Sequence, residues 1–82
     1  MSTKEERQWA AVATVIKMEM AANGLTQAKI AAAAGVGREA MSNYLLGKRD
    51  MPFSVLVNVA AALNLTPREL FELAESRLEQ GK

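Results

Sequence analysis

The chain has 82 residues, half of them apolar, a net charge of +1, and neither cysteine nor histidine. That length allows one domain with one modest core and little room for a deep catalytic cleft. The missing residue types exclude disulfides, thiolate nucleophiles, histidine bases and nearly every structural zinc scheme, as suits a reducing compartment.

Five helices and no strands, repeats or low-complexity linkers are expected. The first should run from Ser2 or Thr3 to about Ala22, opened by a hydroxyl cap with Glu5 and Glu6 in its first turn and stopped by Gly24. It carries two apolar stripes at helical period: Trp9, Val12, Ala13, Ile16 and Met20 on one, Ala11, Val15, Met18 and Ala22 on the other. A helix apolar on two sides needs cover on both. Trp9 and the methionines read as core rather than ligand contacts, with Met1, Met18 and Met51 partly exposed.

Residues 26 to 47 read as a short helix, a glycine turn and a second short helix. Thr26 can cap the first, and Ile30, Ala31 and Ala34 form its inward face. Anything larger than a methyl at Ala31 would push the second helix away. Gly35 can take a positive φ and end the helix within a turn; Val36 plugs the corner and Gly37 opens the next helix. There Met41, Tyr44 and Leu45 recur inward, leaving Arg38, Glu39, Ser42 and Asn43 outward. A helical hairpin with polar groups bunched at the start of its second helix suits a reader of the DNA major groove.

The fourth helix should start near Pro52 or Phe53, bury Leu56, Val59, Ala60 and Leu63, and close at Asn64. Thr66, Pro67 and Glu69 then form a helix start with a threonine cap, proline in the first turn and a glutamate able to bond back. The fifth helix should reach about Glu79, with Gly81 and Lys82 fraying beyond it. Leu70, Phe71, Leu73, Ala74 and Leu78 make it apolar over more turns than a small bundle needs. Its Glu69, Glu72, Glu75 and Glu79 read as a solvated acidic face rather than an acid and base pair, so no enzyme is expected.

These elements resemble the Cro/C1-type helix-turn-helix family of phage and bacterial repressors. Besides the hairpin, the resemblance rests on Ile16, Asn23-Gly24-Leu25-Thr26-Gln27, Gly47-Lys48-Arg49, Pro52, Leu56, Val59-Ala60, Ala62-Leu63-Asn64-Leu65-Thr66 and Leu70, covering about residues 13 to 72 in order. It implies an all-α, compact five-helix bundle of the lambda-repressor-like DNA-binding type, filling residues 1–82 as one domain, with residues 70–80 extending the last helix. Many members pair an arginine late in the first helix with a glutamate late in the recognition helix. Here those positions are Met20 and Leu45, so an apolar contact is expected where relatives have a charged one.

The resemblance implies double-stranded DNA as the partner. Arg38, Glu39, Ser42 and Asn43 occupy the base-reading positions: arginine can bond guanine twice, asparagine adenine, and glutamate can accept from the cytosine amino group. Gln27, at the start of the second helix, is expected to hold a phosphate with the first-turn amides, as matching glutamines do. Lys48 and Arg49 can clamp the backbone on the far side, and the Tyr44 ring packs while its hydroxyl reaches a phosphate. Lys29 is a weaker candidate. The competing assignment at each position is an ordinary solvated surface.

Charge follows the same division. Residues 25 to 50 carry four bases and two acids, residues 1 to 24 three of each, and residues 51 to 82 three bases and four acids. Positive charge gathers on the hairpin but is modest, so one copy would bind weakly and a homodimer on a palindromic operator is expected. A repressor acting by occupancy is the simplest mechanism. The fifth helix beyond Leu70, with the second stripe of the first, is the expected dimer surface unless that helix folds back over Val15 and Met18. The rival function is an antitoxin or adaptor that grips another protein through those same surfaces. No cofactor or metal is expected. Acids beside the N-terminal bases and the polar residues in Met51 to Thr66 argue against a signal peptide or membrane span, placing the protein in the cytoplasm.

Overall fold

The computed structural model describes residues 3–80, and within them five helices follow in chain order: α1 Lys4–Ala22, α2 Gln27–Ala34, α3 Arg38–Leu45, α4 Phe53–Ala62 and α5 Pro67–Gln80. The alternative start at Ser2, the exposure of Met1 and the fraying at Gly81 and Lys82 lie outside these residues.

Each boundary has a local cause. Thr3 caps α1 in a full capping box: its hydroxyl accepts the Glu6 amide at 3.0 Å, and Glu6 Oε1 accepts the Thr3 amide at 2.9 Å. The same box opens α5, between Thr66 and Glu69, at 3.1 and 2.9 Å. Pro52 is the N-cap of α4 rather than a first-turn residue. After α4, Asn64 takes φ +60°, a left-handed position that asparagine tolerates, and the Leu65 amide returns to the Ala60 carbonyl at 2.9 Å.

All five helices contribute to one core. Ile16, Ile30, Met41, Leu56 and Leu70, one from each helix, are fully enclosed, and burying a side chain of that size stabilises by about 1.5 to 3 kcal/mol. Helix α2 packs between α3 and α4, while α5 lies mainly along α1. The bundle measures 34 × 23 × 20 Å.

The second stripe of α1 is covered in part, and by this chain. Ala11 and Val15 are buried, whereas Met18 and Ala22 stay exposed. Across the α1–α5 seam the Trp9 and Phe71 rings meet edge to face at 6.4 Å, and the Arg77 guanidinium donates to Met18 Sδ at 3.2 Å. Leu70 and Ala74 are buried, and Leu78 packs against the core. Met51 departs from expectation: it is buried, at 6% exposure, because the α3–α4 loop folds inward and joins it to the core beside a groove lined by Trp9, Ile16 and Tyr44. Met20 and Leu45 are both buried in that core.

Candidate nucleic-acid interface

The hairpin is set by two tight ends and one small core residue. Thr26 Oγ1 accepts the Lys29 amide at 3.2 Å and starts α2. Gly35 stops it with φ +75°, which lets the Val36 amide fold back to the Ala31 carbonyl at 3.0 Å. A side chain at Gly35 would meet nothing, so it is the backbone conformation that demands glycine there. Ala31 is buried in the core. Asn58 of α4 adds a bond that periodicity could not reveal: its amide donates to the Ala34 carbonyl at 3.5 Å, meeting an acceptor that the end of α2 leaves open.

Gly37 caps α3 without a side chain, and the outward edge of the helix begins directly with Arg38 and Glu39, both exposed. Ser42 and Asn43 follow one turn later and are half-buried. All four expected base-facing residues therefore occur on one eight-residue helix. Glu39 also has a structural use, since a carboxylate in the first turn favours the positive end of the helix.

The expected phosphate-binding residues stand at the two ends of this edge. Gln27 is exposed at the start of α2, and its Nε2 donates to the Arg38 carbonyl at 3.5 Å, linking the starts of α2 and α3. At the other end Gly47 takes φ +77°, and the Asn43 carbonyl accepts the amides of Lys48 at 2.9 Å and Arg49 at 3.4 Å. This turn holds the two exposed bases against the last turn of α3. The Arg49 guanidinium lies 6.0 Å from the centre of the half-buried Tyr44 ring, within cation–π range, so ring and charge form one edge of the site. Lys29 is exposed on α2, where its backbone serves the cap.

Among the described residues the ion pair is Arg68–Glu72, at 4.0 Å on the surface of α5. Arg38, Lys48 and Arg49 are thus left without an acidic partner there, and their charge is available to an external anion. Leu46 is a residue that helical patterning passed over. It continues the outward edge one turn past Ser42 and is exposed, and the spacing 38, 42, 46 was the available signal.

Residues 16–70 of the chain match the model of a family described as helix-turn-helix. The match takes in the end of α1, all of α2, α3 and α4, and the start of α5. No curated protein matches the chain.

Proposed function

The chain belongs to the Cro/C1-type helix-turn-helix family of DNA-binding transcription regulators, and from that premise we propose that it is a cytoplasmic repressor that binds a palindromic operator as a homodimer. The observation that carries this reading is the edge of α3. Polar side chains able to read bases lie along it, with an amide-anchored glutamine at one end and a fixed pair of bases at the other.

In this reading Arg38, Glu39, Ser42 and Asn43 enter the major groove and discriminate between base pairs through hydrogen bonds to their edges. Gln27, Tyr44, Lys48 and Arg49 contact phosphates on either side and set the depth and register of the helix. A second copy supplies the other half-site, about 34 Å away along the duplex. Repression follows from occupancy, because a promoter covered by the dimer is closed to polymerase. No helix among the described residues is long and apolar enough to cross a membrane.

A second reading, an antitoxin or adaptor, is favoured by the exposed apolar residues Met18, Phe71 and Leu73, of which Met18 and Leu73 border an open groove between α1 and α5. The two readings separate in one experiment: selection of bound sequences from a random DNA pool, followed by salt titration on the enriched sequence. The repressor reading expects a palindrome, and affinity that falls steeply with salt as phosphate contacts release counterions. Failure to enrich any sequence would refute it.

A further inference from the structure

The edge of α3 ends on a side chain that hydrogen-bond readout leaves unused. Of the large apolar residues exposed among the described residues, Leu46, at 63% exposure, is the one that belongs to the hairpin; the others lie on α1, α4 and α5. Single exposed leucines are common on soluble proteins, so it is the place of this one that matters. Leu46 closes α3 with helical backbone angles, φ −87° and ψ −5°, and its amide donates to the Ser42 carbonyl at 2.9 Å. Its side chain therefore keeps the register of the helix. It follows Glu39 at heptad spacing, displaced by only about 20° around the helix axis and about 10 Å further along it. Glu39 and Leu46 thus share one line, with Ser42 and Asn43 between them. Just beyond lie Lys48 and Arg49, fixed against the last turn of α3 and without an acidic partner among the described residues.

Resting on the assignment of α3 to a major groove, we propose that Leu46 reads the C5-methyl group of a pyrimidine in the half-site, thymine or 5-methylcytosine. Base-reading polar groups on one side and unpartnered positive charge on the other leave DNA as the surface that closes over Leu46. In the major groove the base pairs present donors, acceptors and one apolar group, the thymine methyl. A leucine can neither donate nor accept, so that methyl is the feature it can match. Over an unmethylated position the same side chain covers polar base edges and returns no hydrogen bond, which costs affinity. Cytosine methylated at C5 offers the same apolar surface as thymine. Binding is therefore sensitive to cytosine methylation at this one position, a discrimination that Arg38, Glu39, Ser42 and Asn43 do not supply.

Deoxyuridine, which differs from thymidine only in lacking the methyl group, isolates the contact. The operator enriched from the random pool is remade with each thymine replaced in turn, and wild type and Leu46→Ala are titrated on the set. Burial of one methyl is worth roughly fourfold in affinity. Replacement of one thymine in a half-site should cost wild type about that factor and should cost Leu46→Ala nothing. With cytosine placed at that position, 5-methylcytosine should return the same factor to wild type and none to the variant. The ratio between methylated and unmethylated operators is the readout, so a variant that is partly unfolded leaves it unchanged. A series with no methyl-dependent thymine would overturn the proposal. So would a methyl dependence that survives in Leu46→Ala, because the variant then loses equally on both operators, as expected of a contact to sugar or phosphate. A pool from which nothing is enriched refutes the reading of α3 itself, whereas an enriched operator indifferent to its methyl groups refutes only this inference.

Discussion

Enlarging Ala31 tests whether the hairpin depends on close approach of its helices. Ala31 is 1% exposed in the core, and its carbonyl accepts the amide of Val36 in the turn. Ala33, two residues on in the same helix, is exposed. Leucine at either position makes the same change to the unfolded chain and nearly the same change in helix propensity, so the difference between the two variants isolates packing. The grooves beside α1 are lined by other residues, leaving the added atoms at position 31 no nearby space among them. Overpacking of this kind costs about 1 to 3 kcal/mol, against roughly 0.5 kcal/mol or less for the exposed change. At about 4 to 8 °C per kcal/mol for a domain of this size, a loss of about 2 kcal/mol lowers Tm by about 8 to 16 °C. Thermal unfolding followed by circular dichroism should show that drop for Ala31→Leu and almost none for Ala33→Leu. Equal melting temperatures would refute the claim that a methyl at this position sets the spacing of α2 and α3.

Further outcomes follow from the same structure. Arg38→Ala and Asn43→Ala should each relax base preference at defined half-site positions by about 1 to 3 kcal/mol, whereas Lys48→Ala should weaken all sequences alike and lower the salt slope by about one; binding titrations on a panel of operator variants check both. Met20→Arg should destabilise by about 3 to 5 kcal/mol, because it places an unpartnered charge in the core, and adding Leu45→Glu should recover part of that loss in chemical denaturation. The Glu6 carboxylate is held below its ordinary value of 4.5, first by the Thr3 amide and then by the Thr3 hydroxyl. The folded state thus favours the ionised form, and the stabilisation is full above the unfolded value and lost as pH falls through the lower folded one. Melting curves of wild type and Glu6→Gln between neutral and acidic pH should therefore converge as the carboxylate is protonated.

The elements were legible in the sequence because their causes are local. Thr66 and Glu69 cap α5 across three residues, and Gly35 ends α2 through bonds to carbonyls three and four residues back. The inward residues of α2 and α3 repeat at the helical period whatever they pack against. For the same reason the outward edge of α3, from Arg38 to Asn43, is legible in the residue pattern alone, since an edge is the complement of a buried face. What only the tertiary structure decided is which partner each apolar face finds. Arg77 reaches Met18 across 59 positions and Asn58 reaches Ala34 across 24, separations at which composition and period carry no information about direction. Folding α5 along α1 buries Ala11 and Val15 but leaves Met18 open, and inward folding of the α3–α4 loop buries Met51. Position in the bundle decides the rest: α5 packs mainly on α1 and less on α4, so Phe53 and Val57 on the outside of α4 stay exposed.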